Sequence, residues 1–511
     1  MLFLGTEKYP NEQEYSEYLN KHGGMSNAYT ADMDTCYYFR VAQDHLFPML
    51  DRFSQFFINP LFDASCTDRE MEAVNSEHDK NTQMDHWRAH QLSRFKCNTN
   101  HTMHRFNTGN LETLRDGPKE QGLDIRDELL KFHGEKYSAN IMALSVVGRE
   151  SLDELEGEVR RLFTPVVNKD VTVLRDAALG NGESPYTSES LGGITYVVPV
   201  KDSRSMEFSF PMHELLPLWR AKPTSYLSFL IGHEGKGSLL SALKSRGWCA
   251  ELMAGSGGDV AGWNCFQIRV DLTPEGLNHV KEVGTIVFAY IRMLQASPVE
   301  HRIWLENQKV QEMNFRFRAQ SDAMGTALDI ATHLNHPNPP HMVFSGPALL
   351  REFKPEEIED KLKAFSVDNC MVKISSKSFA DKCNETEKWY GTKYFSERIP
   401  ADWKEAWENK THDAASVAAT YDLALPPPNP FLPEDLSIKA APAGDTDAEV
   451  HASLDNTTLP KLREPIRITA PQYHLYVKQD SRFKLPKGIV GLNIYTPWIT
   501  EDSTQVLNRM T

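Results

Sequence analysis

Apolar positions recur at helical spacing in several stretches of the first 170 residues. Tyr15, Tyr18 and Leu19 define a short helix that Gly23-Gly24 stops, and Asn11-x-x-Glu14 before them reads as a capping pattern. Leu46, Phe47, Leu50, Phe53, Phe56 and Phe57 line one face of a second helix, about 44 to 58, which ends before Asn59-Pro60. Thr67-x-x-Glu70 reads as a capping box that opens a long helix from about 68 to 95, and Ser151-x-x-Glu154 opens a further one. Residues 25 to 41 lack helical period and become β-branched and aromatic towards their end. They predict two strands joined by a turn near Asp32 to Asp34.

One comparison within the chain sets the architecture. The stretch 127 to 152 resembles the stretch 358 to 379: an amphipathic helix, a short turn, then a strand that opens Asn-x-Met. Asn140 matches Asn369, a displacement of 229 residues, whereas solenoid repeats have periods of roughly 20 to 50. The expectation is an α+β protein with tandem homologous αβ domains, one at 1–178 and one at 190–400. The Gly-, Ser- and Pro-bearing join lies near Gly180 to Gly193. Residues 405–460, Ala-rich and carrying Pro426-Pro427-Pro428-Asn429-Pro430, predict an extended linker that buries little apolar surface. The runs Tyr473 to Val477 and Gly488 to Tyr495, with a turn through Asp480-Ser481, read as the beginning of a third domain at 461–511. Two strands are marginal alone, so the chain is expected to stop inside that domain.

Composition narrows the class. At roughly 150 residues per domain, 511 residues give three to four domains. Mean hydropathy is −0.47, and no window nears the ~18 apolar residues of a membrane span. The net charge of −15 comes without a Lys/Arg stripe, which argues against a nucleic-acid partner. The seven cysteines (Cys36, Cys66, Cys97, Cys249, Cys265, Cys370, Cys383) are widely separated and form no C-x-x-C pair. They read as reduced thiols of a cytoplasmic protein. Met1 to Gly5 is apolar but too short for a signal peptide.

Few motifs carry chemistry by themselves. Glu70 and Glu77 are seven apart, about 20° from superposition on a helical wheel, with Val74 between them. They form either a solvated acidic face or a partly buried one that needs compensating positive charge. His86 and His90 stand at i, i+4 and with Glu77 make a candidate metal set, although no Glu follows the first His. Gly232 to Ser238 fails as a phosphate loop: Leu230 stands where its first glycine is needed and Gly237 where its hydroxyl is needed. It reads instead as a Gly-rich turn before a helix from Ser238 to Arg246.

A resemblance goes further. The run Met1 to Phe39 carries it, with Met49-Leu50-Asp51-Arg52-Phe53, Gln55-Phe56-Phe57, Asp68-Arg69-Glu70 and Val74-Asn75-Ser76-Glu77-His78. Leu230 to Gly235, Val270 to Thr273, Trp389-Tyr390-Gly391-Thr392 and Lys478-Gln479-Asp480 extend it over nearly the whole chain. Together these blocks resemble the pitrilysin-type zinc metallopeptidases, the inverzincins. The resemblance implies a clamshell of four homologous αβ domains around a peptide-admitting chamber, of which this chain is a half clamshell plus the start of a third domain. It implies zinc held by two His of an H-x-x-E-H helix, whose Glu is general base, and by a later Glu that matches Glu77, with Glu70 as its support. The motif would end directly before Met1, and it occurs nowhere in the chain; Glu300-His301 comes nearest, with Ser297 in place of the first His.

The chain as given is therefore expected to hold no zinc, to hydrolyse nothing, and to pair with a missing C-terminal half or with a second copy. Its implied substrates are peptides. Ser26, Asn27, Ala28 and Tyr29 match an edge strand that takes a substrate strand by β-augmentation. Gly232, Glu234, Leu252, Met253 and Ala254 match an exosite that anchors a peptide N-terminus. There Ala254 replaces a Gly and Phe229 replaces a His. The alternative is a noncatalytic member that binds peptides or a partner.

Overall fold

A computed structural model describes residues 1–172, 183–260, 262–409 and 411–437, together with the backbone of 466–470 and 473–477. The chain forms two compact units, Met1–Asn429 and Pro430–Thr511.

The first unit is built on a seven-stranded sheet. Its order is Cys249–Ser256, Trp263–Leu272, Ser205–His213, Met371–Ser375, Gly193–Val197, Lys393–Arg398 and Glu385–Thr386. Every neighbouring pair is antiparallel except Gly193–Val197 with Met371–Ser375. Ser205–His213 reads as an apolar and polar alternation, and both of its faces are buried. Met206, Phe208, Phe210 and Met212 join the main core with Phe266, Ile268, Val270 and the helix Val280–Ala296.

On the other sheet face the helix Asp85–Phe95, from the first third of the chain, packs at Gly193–Val197 and Lys393–Arg398. The Asp85 carboxylate accepts from the Val200 and Lys201 amides at 2.7 and 2.9 Å. Leu92 packs with Val197 and Tyr394, and Lys96 Nζ donates to Ser396 Oγ at 2.7 Å.

Residues 1–172 surround a smaller core of Leu2, Tyr15, Leu19, Met49, Phe53, Phe56 and Phe62. The hairpin Met25–Thr30 and Thr35–Arg40 forms where the pattern places it. Its Phe39 meets Phe53 at 5.1 Å and its Tyr37 meets Phe57 at 5.8 Å on the helix Leu46–Ile58. Ser151 and Glu154 complete their capping box in both directions.

Several expectations are corrected. The helix expected at 68–95 is two helices, Ala64–Asn81 and Asp85–Phe95, parted at 82–84. Asp63 caps the first by accepting from Ser65 and Cys66, while Thr67 lies in its first turn and bonds back to the Asp63 carbonyl. The earlier carboxylate wins because it stands where the chain is still extended. Asn11 likewise caps no helix. It accepts from the Gln13 amide in a turn, and the helix begins at Glu14.

The strand expected after Asn140 forms no ladder among the described residues, although its counterpart Met371–Ser375 does. Ala139–Ile141 is a 3₁₀ turn, and Met142 beyond it is extended and exposed. Met371–Ser375 has Ser205–His213 and Gly193–Val197 on its two sides, whereas 142–147 has no strand beside it among the described residues.

The linker reading fails over its first part. Ala401–Glu408 and Ala414–Thr420 are helices, and Trp407, Val417 and Ala418 belong to the main core. Ala is a strong helix former, Asp413 supplies the cap, and small residues let this helix approach Val280–Ala296. At Gly284 any Cβ would come within 2.3 Å of the Trp407 ring. At the other join Gly193 already starts a strand, and 173–182 lie outside the described residues.

In the second unit Tyr473–Val477 is a strand and pairs with Ile466–Ala470. The run expected at 488 to 495 lies outside the described residues.

Candidate functional site

Glu70 and Glu77 occupy one face of Ala64–Asn81, two turns and so about 10 Å apart along the axis. Glu77 is exposed and has no hydrogen bond or ion pair among the described residues. Glu70 is half-buried, and the Met1 nitrogen lies 3.4 Å from its Oε1. Val74 between them is partly covered and faces Gly109. The two carboxylates thus differ: Glu70 is half-buried beside the Met1 nitrogen, and Glu77 is exposed. The adjoining His78 is 6% exposed and spent on packing, with Nε2 3.0 Å from the Trp389 carbonyl and its ring edge-on to Phe106 and Tyr390.

His86 and His90 stand on the next helix, beyond the break at 82–84, flanking Trp87 at ring distances of 5.6 and 6.4 Å. Among the described residues no three His, Cys, Asp or Glu are placed to hold a metal ion. The candidate set of His86, His90 and Glu77 is therefore not assembled.

Both candidate peptide-binding strands are sheet edges. Met25–Thr30 is exposed along almost its whole length and among the described residues pairs only with Thr35–Arg40, setting Asn27 opposite Tyr38 and Ala28 opposite Tyr37. Tyr29 anchors it: its hydroxyl is 3.3 Å from Thr332 Oγ1, and burial pushes the phenol pKa up.

Cys249–Ser256 is the outer strand of the large sheet. Leu252 points into the core at 7% exposed, Met253 points outward at 49%, and Ala254 is half-buried. Gly232 closes the helix Pro223–Ile231, where a Cβ would lie 2.8 Å from the Ser228 carbonyl. Glu234 is exposed in the turn beyond, and Phe229 faces His233 at 6.4 Å. Of the five exosite candidates only Met253 and Glu234 present side chains to solvent; Leu252 is a core residue.

Sequence reasoning missed the join between the first third of the chain and the large sheet. The Glu387 carboxylate, fully buried, accepts from the Trp389 and Tyr390 amides at 2.9 and 2.8 Å and shapes that turn. Trp389 stacks on Phe106 at 4.4 Å, and Tyr390 OH lies 2.9 Å from Thr108 Oγ1. Arg88 donates to the Tyr390 and Gly391 carbonyls at 2.7 and 3.2 Å. The only sequence signal was an aromatic pair before a glycine, which says nothing of its partner.

This arrangement of mixed helices and sheets has relatives. Residues 1–100 match the insulinase model of peptidase family M16, 124–307 its inactive domain, and 315–510 its middle or third domain. The insulin-degrading enzyme of Drosophila melanogaster is 41% identical over 497 residues, 97% of this chain and 47% of that protein. The Mus musculus insulin-degrading enzyme is 41% identical over 98% of this chain and 46% of its own length. The crystal structure of pitrilysin superposes with a TM-score of 0.78 at 26% identity, covering 86% of this chain and 45% of that one.

The chain belongs to peptidase family M16, the insulinase or pitrilysin family of peptide-degrading zinc metallopeptidases. It spans about half the length of the curated relatives it matches. The described residues do not by themselves fit zinc. Glu77 offers one carboxylate, and a structural or catalytic zinc needs three or four protein ligands. No helix of the described residues is long and apolar enough to cross a membrane.

Proposed function

We propose that this chain is the first half of a cytoplasmic, insulysin-like zinc metalloendopeptidase of short peptides. Within it Glu77 is the third zinc ligand, Glu70 supports that ligand, and the H-x-x-E-H motif precedes Met1. The observation that carries the reading is the placement of Met1. Its nitrogen lies 3.4 Å from Glu70 on the helix that bears Glu77, so a residue joined to that nitrogen would start beside Glu70, two turns from Glu77. An exposed carboxylate without a partner among the described residues, as Glu77 is, is free to take a ligand.

Within that enzyme these residues supply peptide-binding edges. Asn27, Ala28 and Tyr29 offer one open strand edge. Leu252, Met253 and Ala254 offer a second, through backbone, beside Gly232 and Glu234. The division into homologous domains at 1–178 and 190–400, with a third from 461, belongs to the same proposal. Seven free thiols support the reducing compartment.

The deciding experiment is intact mass and zinc content of the endogenous protein. The expected species is much heavier than 58.1 kDa, carries H-x-x-E-H before Met1, binds one zinc, and loses it in Glu77→Ala. A 58.1 kDa species beginning at Met1 and free of zinc would instead establish the noncatalytic peptide- or partner-binding member.

A further inference from the structure

Two imidazoles close the neck of the first hairpin. His22 follows the helix Glu14–Lys21 and leads into Met25–Thr30, while His45 directly precedes Leu46–Ile58 on the way out. Their rings stack with centroids 3.5 Å apart and planes 24° from parallel. The Ala42 amide donates to the His22 carbonyl at 3.2 Å, tying the same two crossings. Tyr18 completes the stack, its ring 4.5 Å from His22 and its hydroxyl 3.0 Å from His45 Nδ1.

The surroundings are cationic. Arg52 lies over the Tyr18 ring at 3.9 Å, and Lys21 adjoins His22. The neighbouring carboxylates are engaged: Glu14 with Arg52 at 2.6 Å, and Asp44 with Arg149. Burial first, then His45, Lys21 and Arg52, hold the His22 imidazole below its ordinary pKa.

Two neutral rings, or one neutral and one charged, are stable in this contact. Two imidazolium rings face to face repel at short range. Once His45 carries both ring protons, its Nδ1 can only donate to the Tyr18 hydroxyl. The neck has little slack: a Cβ on Gly24 would lie 2.4 Å from Leu19 Cδ1 and 2.6 Å from the Arg40 carbonyl. Ring separation is thus passed to the strand ends.

We propose that the His22–His45 stack is a pH-sensitive latch on the Met25–Arg40 hairpin, shut while at most one ring carries a proton and sprung when both do. It rests on the peptide-capture reading only for its consequence, which is that acid loosens the open edge at Asn27 to Tyr29.

The test is a titration of the intact chain from about pH 8 to about pH 5, spanning ordinary histidine titration. Selectively labelled histidines report the two ring titrations, and amide exchange reports the protection of residues 25–40. Wild type should show two separated midpoints for the pair, and His22→Asn and His45→Asn should each leave one unsplit titration. Hairpin protection should fall about tenfold in wild type for each pH unit that separates the steps, and far less in either variant. Independent titration with a common midpoint, or protection that stays flat through the second step, overturns the latch. If a variant fails to fold, the wild-type titration and exchange still distinguish these outcomes. Peptide binding by the same samples at neutral pH is read separately and judges the capture proposal.

Discussion

Glu207 and Lys373 face each other across two central strands, Oε1 to Nζ 2.8 Å, in the layer beneath Asp85–Phe95. Burial pushes the Glu207 carboxyl up, but Lys373 and then Arg269 together outweigh it and hold the pKa below its ordinary value. Lys373→Met strands a buried carboxylate and should cost about 3 kcal/mol, seen as a lower urea midpoint at neutral pH. The sign of the pH dependence follows from the lowered folded value. The pair stabilises above the ordinary 4.5 and ceases to as pH falls through the folded value. The mutant's deficit should therefore shrink in acid; a deficit constant with pH would exclude this ion pair as its cause. Glu77 behaves oppositely. It is exposed and has no partner among the described residues, so Glu77→Gln should change stability by less than about 0.5 kcal/mol, although the proposed function makes it indispensable for zinc.

At the scale of elements, capping chemistry was legible in kind more than in position. Ser151 and Glu154 form their box, but Asp63, and not Thr67, starts Ala64–Asn81. Asp63→Ala should lower stability by about 1 kcal/mol in thermal unfolding, whereas a Glu70→Gln change should leave the helix intact by circular dichroism. The hairpin and the helix Leu46–Ile58 were legible because period-2 and period-3.6 patterns bury opposite sets of side chains. The segment 142–147 was misread because the pattern of a strand is necessary for a ladder and not sufficient. A strand also needs neighbours, and no sequence window contains them. The Ala-rich helix 414–420 was misread for the complementary reason: its few apolar groups found a prepared surface on Val280–Ala296.

At the scale of the whole chain, residues 1–172 and the large sheet meet through Asp85, Arg88, His78 and the Trp389-Tyr390 turn. Asp85→Ala leaves the Val200 and Lys201 amides without their acceptor. In calorimetry it should split the unfolding of this unit into two transitions; a single transition merely shifted downward would mean that Leu92 and the aromatic stack suffice. Leu130, Phe132, Met142, Leu144 and Val147 are exposed. Apolar residues clustered along 130–147 lead to the expectation of concentration-dependent self-association in sedimentation velocity, reduced by Phe132→Glu. A monodisperse wild type across the concentration range would remove that expectation.

Sequence alone determined the α+β class and membership of the family, because periodicity and multi-block matches are local or additive signals. The duplication marked by Asn140 and Asn369 is proposed on the same kind of signal. Sequence also placed Glu70 and Glu77 on one helix face, since seven residues nearly complete two turns. Tertiary structure decided that Met1 approaches Glu70, that His86 and His90 stand apart from Glu77, and that Leu252 faces inward while Met253 faces out. It alone stacked His22 on His45 across 23 residues of chain. Such contacts join residues with no shared period, and only the closing of the core brings them within reach.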